Sequence, residues 1–393
     1  MLTRRLFLRS TTTALISASL FPLTSYAKHD NSSRSRFGDI GPLTSPDSNG
    51  LMLPDGFSSR IIARSGLKPI TQSSYLWHDA PDGGATFPTD DGGWIYVSNS
   101  EVDHNFGGCG AIRFDSSGNT VNAYSILEDT SRNCAGGATP WGTWLSCEEI
   151  GTGLIWECDP NGKQSAIPRP ALGAFAHEAV ALDTRNQILY MTEDRTDGGF
   201  YRFIPGEIDS NARPNLNSGT LEVAVVDAST STVSWVSVKD PDASSKPVRY
   251  QVENRTAFNG GEGIVFHNGV VSFATKGDNR IWSYATSTRQ LSIIYDAKTH
   301  MKPILTGVDN ITLSLDGELV VGEDGGDLQL VAITKTNKLV PLIQLAGHDF
   351  SEVTGPAFSP DGMHLYFSSQ RGTTGKSSGG ITYEVTGPFH TRK

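Results

Sequence analysis

Cys134, Glu149, Glu178, Glu262, Asp309 and Glu323 are residue types that bind metals, yet they lie far apart along the chain. If the fold gathers them, several carboxylates share one partly desolvated space and cannot all stay ionised. Either their pKa values rise or cations neutralise them. Calcium takes six to eight oxygens from carboxylates, carboxamides and carbonyls. A thiolate suits zinc or iron instead. Together the six residues predict a mixed site, with a transition metal at Cys134 and calcium among the acids.

Gathering them requires a repeating architecture, and a repeat is present. A turn containing Gly or Asn, a strand of alternating apolar residues and a polar end recur in "DDGGWIYVSNSE", "TPWGTWLSCEE", "DTRNQILYMTEDR", "HNGVVSFATKGDN", "LDGELVVGEDGG" and "SPDGMHLYFSSQRG". The polar ends are Glu101, Glu149, Glu193, Asp278, Glu323 and Gln370, separated by 48, 44, 85, 45 and 47 residues. A second series, Cys134, Glu178, Glu262, Asp309 and Gly355, steps by 44, 84, 47 and 46. A period of about 40–50 residues is that of one propeller blade. The long step is then one blade carrying an insertion at about 205–257. The expectation is an all-β, six-bladed propeller with an axial metal site; a pair of β-sandwiches would not require the period. Innermost strands run along the channel, so their ends ring its mouth. Of His177 and Glu178, neighbours on one strand, Glu178 is expected to face the channel and His177 to be a hydrogen-bonded structural residue.

The composition agrees with strands joined by tight turns: 42 of 393 residues are glycine. A net charge of −10 excludes nucleic acid and anionic membranes as partners. Arg4-Arg5, the apolar stretch 14–23 and Ser25-Tyr26-Ala27 read as a twin-arginine export signal over residues 1–27, leaving 28–393 as one propeller domain outside the cytoplasm, periplasmic or secreted. The apolar stretch is too short to span a bilayer, so no membrane insertion is expected after cleavage. In an oxidising compartment Cys147 and Cys158 either pair across a hairpin or remain two reduced core cysteines; the sequence leaves both open. Serine-nucleophile, phosphate-loop and zinc-protease motifs are missing.

At the quoted residues the chain resembles the PhoX-type alkaline phosphatase family. "NCAGGATPWGTWLSCEE", "FAHEAVALD", "YMTEDRTDGGFYRFIP", "VDNITLSLDGELVVGEDGG" and "SEVTGPAFSPDG" carry the similarity, which runs over about 37–389. The resemblance implies a six-bladed propeller in which two Fe3+ and several Ca2+ ions hold phosphate and a thiolate ligates iron. Matched by motif, the ligands are Cys134, Glu149 of "CEE", Glu178 of "HEA", Glu262 of "GGEG" and Glu323 of "GEDGG", with Asp309 added by spacing. Gly260-Gly261 stand where the family has a basic residue, so Lys276 and Arg195 are expected to hold the phosphate. The expected function is metal-dependent hydrolysis of a small phosphorylated substrate by a monomer. Alternatives are a calcium-dependent phosphodiesterase or lactonase on the same site, or a non-enzymatic, metal-stabilised binding propeller.

Overall fold

The computed structural model describes residues 34–391. The expected export signal lies outside the described residues. Six antiparallel sheets of four or five strands follow one another along the chain, and a small seventh pairs Arg34–Ser35 with His390–Thr391. The first strands of the six are Pro81–Pro88, Asn133–Ala138, His177–Asp183, Gly261–His267, Val308–Leu313 and Val353–Phe358. Each first strand packs against the first strands of the two neighbouring sheets, and Val353–Phe358 meets Pro81–Pro88. The ring is therefore closed, and these six strands line its axis. The architecture is a six-bladed β-propeller.

Closure uses the amino-terminal segment. Ser58–Arg64 pairs with Ile381–Thr386 as the outermost strand of blade 6, and Leu51–Met52 adds a fifth strand to blade 5. The Arg60 guanidinium grips Glu384 at 2.7 Å across that seam. Blade 3 also has five strands, the last two being Gly219–Val226 and Val233–Ser237, which come from the 205–257 stretch. The rest of that stretch carries a single 3-10 turn, Val248–Tyr250, before the chain enters blade 4.

Strands form where apolar residues alternate, and aromatic rings fill the wedges between blades. Phe200 of blade 3 stacks on Phe273 of blade 4 at 4.5 Å between centroids. The axis is tight. A Cβ on Gly137 would lie 2.0 Å from the Val180 carbonyl oxygen, and one on Gly263 would lie 2.4 Å from the Ile311 nitrogen. Glycine is required there so that neighbouring inner strands can touch. Below the mouth the channel narrows to an axial cavity of about 30 Å³, room for a water, lined by Gly83, Gly136, Gly263 and Gly355 among others.

Cys109, Cys134, Cys147 and Cys158 are all buried and unpaired. Cys147 sits opposite Ile155 and Cys158 opposite Trp144, so the hairpin holds the two thiols out of register. Among the described residues no helix is long and apolar enough to cross a membrane.

Candidate metal centre at the channel mouth

All six inner strands carry the same irregularity. Just after the pairing begins, one extra residue is inserted, leaving Asp82-Gly83, Cys134-Ala135, Glu178-Ala179, Glu262-Gly263, Asp309-Asn310 and Gly355-Pro356 between paired positions. A bulge re-aims the side chain it contains. Here it carries an acid or a thiol in five blades and glycine in the sixth. A second ring is set by the residues that leave the adjacent strand: Glu101, Glu149, Asp194, Lys276, Asp324 and Gln370.

The two rings meet at one mouth. Four overlapping groups bring one ligand atom per residue within 4.8 Å of one another: Asp82, Glu101 and Cys134; Cys134, Glu149 and Glu178; Glu178, Glu262 and Asp309; Asp309, Asp324 and Glu352. Of the six predicted ligands, the fold thus gathers Cys134, Glu149, Glu178, Glu262 and Asp309. The Cys134 thiol donates to Glu178 Oε1 at 3.3 Å. Asn310 donates to Asp309 Oδ1 at 2.7 Å and accepts from the Gly355 amide at 2.9 Å, which fixes the Asp309 carboxylate against blade 6.

Glu323 stands apart from these groups. It is the last residue of its strand, fully buried, and accepts from the backbone amides of Thr306 at 2.6 Å and Gln329 at 2.9 Å. Glu148 and Glu193 hold the corresponding position and do the same work, Glu193 accepting from Gly199 and from the Tyr201 hydroxyl. The following residue, Asp324, is the one that reaches the mouth. Asp82, Glu101, Asp324 and Glu352 are the group members that sequence reasoning missed. Keeping the register of Glu149 through the repeat leads to Glu101 and Asp324; Asp82 shows itself only once the bulge is known.

Burial is the largest influence on the acids. It raises Glu149 to about 7, with Glu101 pushing the same way and Arg132 pulling back. Glu178 is pushed well up by burial and then by Glu262 and Asp309. Glu262, Asp82 and Glu352 rise for the same reasons, and the Cys134 thiol rises with them. His177 is driven down to about 4 by burial and bonds the Gly173 carbonyl through Nε2 at 2.9 Å, a neutral ring packed on Phe175.

Four cations stand around the acids. Arg132 bridges Glu101 and Glu149 at 2.7 Å each. Arg371 holds Glu352 at 2.7 Å. Arg195 lies 3.4 Å from Glu149 and donates to the Asp194 carbonyl at 2.6 Å. Lys276 lies 3.1 Å from Glu262, 3.2 Å from Asp309 and 3.3 Å from Asp324. Burial disfavours its charge, but the acids outweigh burial and its pKa is raised.

The fold and the site define a class: a β-propeller whose bulged inner strands aim acids and a thiol at an axial mouth. Within that class, residues 108–153 and 151–290 match the family model described as alkaline phosphatase PhoX. The structure of Pseudomonas fluorescens PhoX in complex with vanadate, a transition state analogue, is similar with a TM-score of 0.71 at 18% identity, over 88% of this chain and 97% of that one. A gluconolactonase from Xanthomonas campestris is more remote, with a TM-score of 0.49 at 11% identity over 89% and 98% of the two chains. Among curated proteins no relative matches the sequence.

Proposed function

We propose that this chain is a metal-dependent phosphomonoester hydrolase that works as a monomer outside the cytoplasm. The observation that carries the proposal is the overlap of four acidic groups at one mouth, with a thiol at the junction of two of them, in a chain whose residues 108–290 match the PhoX family model. Arg4-Arg5 and the small-residue cut site at Ala27 support export by the twin-arginine machinery and a periplasmic or secreted product.

The residues fit the cations the resemblance implies. Glu262 Oε1 is buried without a hydrogen bond and faces the Lys276 ammonium at 3.1 Å, and acids crowded this closely need more positive charge than one lysine carries. Cys134, between Glu149 and Glu178, offers the soft donor that suits iron, while Glu178, Glu262 and Asp309 offer the oxygens that suit calcium. Cations held there would polarise phosphoryl oxygens and offset charge that develops in the transition state. The protein's own part is placement. Arg132 pins Glu101 and Glu149, Asn310 pins Asp309, and the inner-strand bulges keep the acids pointing at the mouth. Arg195 is one-third exposed, and its guanidinium has five N–H donors, enough to bind a phosphate oxygen while still facing Glu149. Lys276 can take the same role only by releasing one of its three carboxylates.

The test is hydrolysis by natively exported protein, loaded with iron and calcium, of p-nitrophenyl phosphate, bis-p-nitrophenyl phosphate and a lactone side by side. Turnover of the monoester that disappears on chelation is expected. Metal-loaded protein that ignores monoesters, or prefers the diester or the lactone, overturns the reading.

A further inference from the structure

We infer that Lys276 is a tethered cation that fills one position of the metal cluster, so that the arc between Asp309 and Asp324 holds an ammonium where a metal ion would otherwise sit. This rests on the metal reading of the mouth and deepens it.

Two observations carry it. The first is the repeat. The residues leaving the second strand of each blade are Glu101, Glu149, Asp194, Lys276, Asp324 and Gln370, so a ring of four acids and one neutral carboxamide turns basic at a single blade. Reversing one charge beside three carboxylates changes how many divalent ions the ring can hold. The second is the geometry. Nζ of Lys276 lies 3.1 Å from Glu262 Oε1, 3.2 Å from Asp309 Oδ2 and 3.3 Å from Asp324 Oδ2. Three carboxylates of three different blade elements face the three N–H donors of one ammonium, the full donor complement of a lysine. Glu262 Oε1 is buried and accepts no hydrogen bond, so its compensation is this ion pair.

The residues beside Lys276 hold it in place. It opens a 3-10 turn, Lys276–Asp278, and its amide donates to the Gly260 carbonyl at 2.8 Å. A Cβ at the next residue, Gly277, would meet the Asn259 carboxamide at 2.3 Å, and the Gly277 amide donates to the Asn259 carbonyl at 3.0 Å, so the turn packs directly on the blade 3–4 connection. The ammonium is thus delivered to the acids by a fixed backbone.

Metal content tests this directly. Wild type, Lys276→Gln, Lys276→Asp and Lys276→Arg are exported natively, and metals per chain are counted by mass spectrometry alongside thermal unfolding. The Gln and Asp variants should each gain one divalent ion per chain over wild type, and the Arg variant should gain none. Folded Gln and Asp variants with the wild-type count overturn the inference while leaving the metal site standing. Should those variants fail to fold, Asp324→Asn in the wild-type background decides: the metal count stays the same if the ammonium fills this arc, and one ion is lost if a metal does. Protein without metal in every variant overturns both this inference and the reading beneath it.

Discussion

The Cys134 thiol lies 3.3 Å from Glu178 Oε1, a contact between inner strands of adjacent blades and between residues 44 positions apart. Burial pushes both groups up, and the Glu178 charge makes the Cys134 thiol harder still to ionise. A soft cation between them would remove that conflict by taking the thiolate. Cys134→Ser keeps the size and offers a poorer ligand. The expected outcome is a folded protein that loses its transition metal, with an affinity drop beyond the roughly 10–100-fold that follows loss of a residue behind a ligand. Elemental analysis reads iron and calcium separately. Retention of iron at the wild-type level in the serine variant would remove Cys134 from the site.

Glu323 and Asp324 are adjacent acids that the structure sends to different tasks. Glu323→Ala leaves the Thr306 and Gln329 amides without their acceptor, at about 1–3 kcal/mol for each buried donor. Its urea midpoint should fall accordingly, while the folded fraction keeps its metal. Glu149→Gln should do the opposite, losing metal with a smaller stability change. If Glu323→Ala empties the site at unchanged stability, the assignment is reversed.

This pair also shows what the sequence could and could not convey. The blade period is written in turn chemistry and in the alternation of apolar residues, so six blades and the convergence of four inner-strand residues, Cys134, Glu178, Glu262 and Asp309, were readable from spacing alone. The choice between neighbours is set by where a strand stops. At 148–149 the second acid reaches the mouth, and the same holds at 193–194 and 323–324, yet each pair reads as two equivalent carboxylates. Asp82 was invisible for a related reason: "DAPDGG" resembles a turn, and only the bulge in its strand turns it inward. Arg132 had no signal, because it acts by bridging Glu101 and Glu149 across a contact the chain makes in three dimensions.

The raised acids fix the sign of the pH dependence. Burial lifts Glu149 from 4.5 to about 7 in the fold, and Glu323 likewise rises to about 7. Between those values the folded chain binds more protons than the unfolded one. Their contribution to stability is therefore complete below about pH 4.5 and is lost as pH rises through about 7. Glu178 and Glu262, pushed higher, extend the loss upward. Protein stripped of metal should melt at progressively lower temperature from pH 5 to pH 9. Metal-loaded protein should show the reverse slope over the acidic part of that range, because binding requires deprotonated ligands and releases protons. A metal-free melting temperature that stays level or climbs through pH 7 would contradict these shifts.

The axis offers a purely steric test. Gly137 stands one strand-turn below Cys134, and an added Cβ would lie 2.0 Å from the Val180 carbonyl oxygen, two residues beyond Glu178. The obstacle is backbone, so it cannot rotate aside. Gly137→Ala must push the inner strands of blades 2 and 3 apart, and overpacking of this kind costs about 1–3 kcal/mol. The same displacement separates Cys134 from Glu178, so metal affinity should fall further than the stability loss alone accounts for. Gly151→Ala is the control: nothing lies within 4 Å of its added methyl, and its effect should stay within about 0.5 kcal/mol. Urea unfolding and metal content, measured on both variants, separate the two cases. Equal behaviour of the two would mean that close contact of the inner strands is not what holds the thiol against its acid.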